Sequence, residues 1–290
     1  MRIRDLFTGD RPIFSFEFFP PKTDAGEAKL IETVQRLQEL GPSFVSVTKT
    51  GAKPAEKTVE LTARLKREVG VEAMAHITCA TAGRAEMHRI LESIRDAGIE
   101  NVLPLRGDPP ADRPGFVRPP DGFGYASELV RFIKGSGFDF CMAGAAYPEK
   151  HPEAPSAEID LRNLQTKVAA GVDFLITQLF YRNSDYFSFT ARARALGIGV
   201  PIVPGIMPIT NAAQIERIAE LSGASIPSDL QADLDRTRGD EAAARAAGIA
   251  YAIRQCRELL ERGAPGIHFY TLNQSPATSA ILRELRRDYP

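Results

Sequence analysis

Eight short apolar runs recur along the chain, each followed by a stretch with helical periodicity, and this alternation limits the fold more than any other feature. The runs fall at 12–19, 43–48, 72–78, 101–105, 138–143, 173–179, 200–205 and 267–271. Residues 28–40 set Leu30, Ile31, Val34, Leu37 and Leu40 at helical spacing and stop at Gly41-Pro42, 56–69 repeats the pattern with Val59, Leu61, Leu65 and Val69, and 84–97 closes at Gly98. Helical stretches follow at 124–134, 157–170, 186–196 and 276–288, with two or three helices between Asn211 and Arg262. Strand and helix alternating eight times predict an α/β fold, a closed (β/α)8 TIM barrel with extra helices before the last strand. The competing architecture, an open doubly wound sheet, carries a glycine-rich turn after an early strand; here the first run exits into Glu17-Phe18-Phe19-Pro20-Pro21. No linker, charge block or low-complexity tract divides the 290 residues, so 1–290 is expected to be a single domain. The charged stretch 228–248 has few large apolar residues and reads as a surface excursion, with a lid or subunit contact as the functional alternative.

Net charge is −1, which gives no electrostatic case for nucleic acid. Cys79, Cys141 and Cys256 are far apart without a CxxC pair, against a disulfide framework or a sulfur-rich metal site. No apolar run reaches membrane-spanning length, and residues 1–10 lack the apolar stretch of a signal peptide. A cytoplasmic enzyme is the expectation.

In a barrel the C-terminal ends of the strands share one mouth. Those ends carry, in order, Glu17, Thr48, His76 with Thr78, Arg106 with Asp108, Gly144 with Tyr147, Gln178, Pro204 with Gly205, and Tyr270 with Asn273. Glu17 interrupts Phe14-Ser15-Phe16-Glu17-Phe18-Phe19, and period two puts it on the face of Ser15 and Phe19, away from Phe14, Phe16 and Phe18. A carboxyl beside aromatic rings loses hydration and its pKa is expected to rise, as suits a general acid; the plainer reading is a surface glutamate or an ion-pair partner. In Arg106-Gly107-Asp108 the glycine admits close backbone approach, the arginine suits a phosphate and the aspartate a ring nitrogen, or the segment is simply a charged turn. Residues 144–153 place Tyr147 and His151 in a stiff loop after small residues that would admit a flat ring system. The histidines lack metal-ligand spacing, so no metal is expected. His88 reads as surface, His268 as either core or mouth, and Cys79 as a packed thiol; neither a G-x-S-x-G elbow nor a Walker loop occurs.

Taken in order, Phe16-Glu17-Phe18-Phe19-Pro20-Pro21, Val45-Ser46-Val47-Thr48, Leu105-Arg106-Gly107-Asp108, Ala145-Ala146-Tyr147-Pro148-Glu149 with His151-Pro152-Glu153, Ile176-Thr177-Gln178, Pro204-Gly205-Ile206-Met207-Pro208 and His268-Phe269-Tyr270-Thr271-Leu272-Asn273 resemble the methylenetetrahydrofolate reductase family from about residue 12 to residue 285. The resemblance implies a flavoprotein of one-carbon metabolism and methionine biosynthesis. FAD at the mouth takes hydride from NADH or NADPH and passes it to methylenetetrahydrofolate. By that resemblance Glu17 is the acid that opens the folate ring, and Asp108 lies near flavin and pterin and favours the cationic iminium. Thr48, His76, Arg106, Gly107, Asp108, Tyr125, Ala145, Tyr147, His151, Asp160 and Lys167 line or support FAD, while Gln178, Gln214 and Tyr270 lie with Glu17 on the substrate side. Self-association is common in the family and a homo-oligomer is expected.

Three positions depart from the family's usual pattern. Lys49 follows Thr48 where an aromatic is frequent in bacterial relatives. Val172 replaces an alanine, a change that strains a packed turn by about 1–3 kcal/mol unless compensated. Ile218 cannot stack on an adenine, so the choice between NADH and NADPH stays open. Some eukaryotic relatives carry a second domain sensing S-adenosylmethionine; with the sequence ending at Pro290, that inhibition is not expected. Two other readings compete: a non-flavin lyase or aldolase with Lys49 as a Schiff-base lysine, and a flavin- or folate-binding regulator without turnover.

Overall fold

The computed structural model describes residues 1–49, 54–108 and 118–290. The loop from Lys49 to Lys53 is therefore described only at Lys49, and the loop expected from 106 to 124 only at its two ends; the rest lies outside the described residues. The strands are β1 (Ile13–Phe18), β2 (Phe44–Val47), β3 (Ala73–Thr78), β4 (Asn101–Leu105), β5 (Cys141–Ala146), β6 (Phe174–Thr177), the short β7 (Ile202–Val203) and β8 (Gly205–Ile206), and β9 (Gly266–Tyr270). All pairs are parallel, in the order β7-β6-β5-β4-β3-β2-β1-β9-β8. β7 and β8 are two halves of one barrel strand, expected from the sequence as the single run 200–205. Proline has no N–H to give to a ladder, so the strand breaks at Pro204, whose carbonyl still accepts from the His268 N–H at 2.9 Å. One half pairs with β6 and the other with β9, which brings the sheet round into a barrel.

The helices are α1 (Asp24–Gln38), α2 (Ala55–Arg64), α3 (Arg84–Asp96), α4 (Ala126–Gly135), α5 (Ala157–Ala169), α6 (Asn183–Ala195), α7 (Ala212–Ser222), α8 (Ser228–Arg236), α9 (Glu241–Glu261) and α10 (Pro276–Asp288). Side chains of Thr23, Ser156, Asn211 and Asp240 accept the orphan N–H groups at the starts of α1, α5, α7 and α9. Pro276 opens α10, where a missing N–H costs nothing. Among the described residues no helix is long and apolar enough to cross a membrane.

Two differences from the sequence reading have physical causes. β5 starts at Cys141, three residues beyond the expected 138, and consists largely of Ala and Gly. The ladders to β4 and β6, together with burial, outweigh the weak strand propensity of these residues. The excursion 228–248 is anchored more firmly than its charge pattern implies. Leu230 and Leu234 of α8 join Leu179, Met207, Ile209 and Ile215 in a separate apolar cluster, and Ile218 packs against it. A Cβ at Gly248 of α9 would meet the Ile209 carbonyl at 2.1 Å, so that helix approaches the chain after β8 as closely as glycine permits.

Alternation along the strands puts Phe14, Phe16 and Phe18 between sheet and helices. The other face fills the barrel floor with Ile13, Phe44, Met74, Leu103 and Phe174, capped from below by Ile3 of the N-terminal turn. The Val172 methyls face the space that a Cβ on Gly144 would occupy, 3.1 Å away, so glycine at 144 absorbs the larger side chain. Glycine at 144 thus leaves the room that the Val172 side chain takes. Val172→Ala should open a small cavity and lower stability by about 1–2 kcal/mol, read as a lower denaturation midpoint at unchanged slope.

Candidate active site at the barrel mouth

Glu17 points into the barrel near the top of β1, its side chain 19% exposed. Its backbone is clamped by the β9–α10 loop. Thr271 Oγ1 donates to the Glu17 carbonyl at 2.6 Å, while the Asn273 amide accepts from Phe19 N–H at 2.9 Å and donates to Phe19 O at 2.8 Å. Leu272 and Asn273 take left-handed backbone angles, φ 50° and 59°, to make this turn. Such a conformation is unfavourable for leucine and persists only where surrounding bonds enforce it.

Beneath the carboxylate lie two imidazoles. His268 Nε2 is 3.5 Å and His76 Nε2 3.6 Å from the same oxygen, Oε2. Ser15 Oγ bonds His268 Nδ1 at 2.7 Å, and His76 Nε2 is buried without a hydrogen-bond partner among the described residues. Burial pushes the Glu17 carboxyl up, but the His268 hydrogen bond and the charges of His76 and His268 pull it down, and the balance lies below the usual carboxylate value. The expected rise is thus corrected to a lowering. Phe14, Phe16 and Phe18 face the helices, so the carboxyl meets imidazoles rather than phenylalanine rings. Burial also lowers His76, opposed by Glu17.

A second group gathers after β4 and β5. Arg106 makes a two-pronged bond to Glu153, both contacts 2.6 Å, which holds its guanidinium above the usual value. Gly107 has φ 83°, and a Cβ there would lie 2.9 Å from the Thr78 Cβ, so this turn beside Asp108 requires glycine. The Tyr147 and His151 rings meet edge to face at 4.6 Å. His151 N–H donates to Asp160, and Lys167 Nζ donates to the Ala145 carbonyl at 2.6 Å. Burial pushes Lys167 down to about 8 against the pull of Asp160. Burial, reinforced by Asp108, raises Tyr147, and burial lowers His151. Thr48 Oγ1 is buried with no hydrogen-bond partner among the described residues.

The remaining candidates are more scattered. The Gln178 side chain folds back to accept from Leu179 N–H at 2.9 Å. Tyr270 donates to the Thr177 carbonyl across the mouth at 2.6 Å, and burial raises its phenol well above the usual value. Gln214, in the first turn of α7, bonds Thr210. Tyr125 precedes α4 with an exposed ring and makes no side-chain bond to the Arg106–Lys167 group among the described residues. Burial lowers the Lys49 ammonium, opposed by Glu56 and Glu86. No group of three or more His, Cys, Asp or Glu is placed to hold a metal ion among the described residues. Sequence reasoning left His268 undecided and missed its link to Ser15. The one available signal was period two in 266–270, which sets His268 and Tyr270 on one face.

The family model described as methylenetetrahydrofolate reductase matches residues 2–286. The Arabidopsis thaliana protein named methylenetetrahydrofolate reductase (NADH) 1 is 38% identical over 295 residues, covering 98% of this chain and 50% of its own. The 5,10-methylenetetrahydrofolate reductase of Pectobacterium carotovorum subsp. carotovorum is 38% identical over 275 residues, covering 93% of this chain and 89% of its own. The chain thus spans about half the length of the plant relative and most of the bacterial one. Among solved structures, a Clostridium thermocellum protein described as binding two copies of 5-methyl-5,6,7,8-tetrahydrofolic acid aligns with TM-score 0.69 and 14% identity, over 99% of this chain and 100% of that one. At that identity the likeness shows the fold alone.

Proposed function

Since the chain belongs to the methylenetetrahydrofolate reductase family, we propose that residues 1–290 form one catalytic unit that moves hydride from NADH or NADPH, by way of FAD, to 5,10-methylenetetrahydrofolate and yields 5-methyltetrahydrofolate. The observation that carries the reading is the inward Glu17 carboxyl, at the mouth and beside two buried imidazoles. A carboxylate that only binds a ligand or solvates a surface needs no such surroundings.

The residues around the mouth fit a flavin dinucleotide. Thr48 Oγ1 and His76 Nε2 are buried polar atoms without a hydrogen-bond partner among the described residues, Gly107 leaves room for close approach, and Arg106 and Lys167 offer positive charge for a diphosphate. Asp108, Tyr147, His151, Asp160 and Ala145 complete that side, and Tyr125 would join it from the rim. When bound, FAD supplies two-electron transfer between nicotinamide and folate. The chain's own groups do the rest. Glu17 protonates the departing ring nitrogen of the folate, and a flat ligand over the mouth removes water from the carboxyl and raises its pKa toward that task. Asp108 stabilises the cation that forms at the one-carbon unit. Gln178, Gln214 and Tyr270 orient the pterin.

Anaerobic mixing tests the reading. The purified protein should be yellow, bleach with NADH or NADPH, and recover its colour with methylenetetrahydrofolate. A preparation reconstituted with FAD that fails to bleach with either nicotinamide would overturn it. A second expectation concerns the cofactor alone. Lys167 loses its proton near pH 8, so its charge is present below that value and lost above it. Affinity for FAD should fall as pH rises above about 8, and Lys167→Met should flatten this dependence, as measured by flavin fluorescence in equilibrium titrations.

A further inference from the structure

The loop after β5 is held together by its own lysine. Pro148 and Pro152 bracket it and have no N–H to give, so a regular ladder of backbone bonds cannot form across it. Lys150 supplies the donors instead. Its ammonium reaches three carbonyls, Ala154 O at 2.7 Å, His151 O at 3.1 Å and Pro152 O at 3.3 Å. An ammonium has three N–H groups and no acceptor, so this cage uses its full capacity. The Ala154 N–H closes the same turn on the His151 carbonyl at 2.9 Å.

The shape of this turn sets what the loop presents to the cofactor side. The Glu153 N–H donates to His151 Nδ1 at 3.1 Å. Burial lowers this imidazole, so the ring is neutral at pH 7 and above, with its one proton on Nε2. The ring meets Tyr147 edge to face at 4.6 Å, and the His151 backbone N–H donates to Asp160 at 2.9 Å. Glu153 then takes Arg106 with two bonds of 2.6 Å. The outer end of the loop is tied to the turn after α7, where Glu149 accepts from Ser225 N–H at 2.9 Å and from its hydroxyl at 2.5 Å.

We propose that Lys150 is a positioning residue for the flavin dinucleotide: by gathering the carbonyls of residues 151, 152 and 154 it fixes the turn in which His151 keeps one tautomer and Glu153 reaches Arg106. This rests on the reading of the Arg106–Lys167 side of the mouth as the FAD site. Lys150 commits its donors within the loop, so it acts on the cofactor through the turn it shapes and not through its charge. A loop already in its binding shape loses less freedom when the ligand arrives, and the smaller loss appears as affinity. Without the ammonium the fold should survive, because most of the turn is open to solvent and water can take the three carbonyls. What disappears is the order of the turn.

Nitrogen NMR of the chain labelled at its four histidines reads the turn without any ligand. His151 should be held as the Nε2–H tautomer at neutral pH and above, and Lys150→Met should leave a mixture of tautomers. Serial dilution of the holoenzyme, followed by flavin fluorescence, should show FAD held roughly ten-fold more weakly in Lys150→Met, with the denaturation midpoint of the flavin-free chain unchanged. Lys150→Arg keeps the charge but spreads its donors over a flat fork, and should lose affinity to the same degree. Wild-type affinity in either variant would overturn the positioning role, and arginine alone retaining it would assign the effect to charge. An unchanged His151 tautomer in Lys150→Met, or weaker FAD binding only in step with a lower denaturation midpoint, would overturn it too. A wild-type chain that shows the fixed tautomer yet takes up no FAD would overturn the flavin reading instead.

Discussion

Replacing Glu17 by glutamine should slow flavin reoxidation by methylenetetrahydrofolate roughly 10²–10⁴-fold while flavin reduction by nicotinamide stays within about two-fold. The substitution preserves shape, and the clamp on this segment does not depend on the carboxyl. Thr271 holds the Glu17 carbonyl and Asn273 holds the Phe19 backbone, so the side chain should stay aimed at the mouth. What disappears is the transferable proton, a loss equivalent to about 3–5 kcal/mol of activation free energy. Hydride arrival from the nicotinamide needs no acid at this position. Measuring the half-reactions separately is decisive, because steady-state turnover would merge them. Equal losses in both halves would assign Glu17 to placing the cofactor rather than to protonating the folate.

The inward aim of Glu17 was legible because strand alternation is a local rule, and the interruption of an aromatic run marked the residue. Its electrostatic company was not. His268 lies 251 positions away, and only the parallel register, Glu17 opposite Tyr270 and Ser15 opposite His268, brings the two strands' inward faces together. Local reading therefore placed aromatic rings around a carboxyl that in fact meets imidazoles, and the sign of its pKa shift was misjudged. The eight-fold alternation was readable for the same reason that Glu17 was, since each βα unit is encoded within a few turns of chain. The start of β5 and the anchoring of α8 and α9 were not, because alanine and glycine carry almost no local signal and their value lies in what packs against them. Gly248 against Ile209 and Gly144 against Val172 are examples. Pro204 was visible, but not its consequence. A proline inside an apolar run can end a strand or split it, and only the neighbours on either side decide.

Gly205→Ala should be the most damaging single-atom addition at the mouth, because Gly205 is where barrel closure and the proposed substrate face share space. An added Cβ would lie 2.2 Å from the Thr177 carbonyl and 2.6 Å from the Tyr270 ring. The Gly205 N–H donates to Thr177 Oγ1 at 2.9 Å, and the Tyr270 hydroxyl crosses to the Thr177 carbonyl at 2.6 Å. Neither neighbour can retreat independently. Moving the ring breaks the hydroxyl bond, and moving the carbonyl disturbs β6 against the seventh strand. Overpacking costs about 1–3 kcal/mol, and a buried bond left unmade adds about 1–3, so a loss of roughly 2–6 kcal/mol is expected from a total near 5–15. Denaturant unfolding measures it, and Tyr270→Ala tests its origin. If the ring is what the methyl strikes, removing it should recover part of the loss, and the two changes should fail to add by at least about 1 kcal/mol. Strict additivity would place the damage in the backbone of β6 and leave the Tyr270 side of the mouth independent of how the barrel closes.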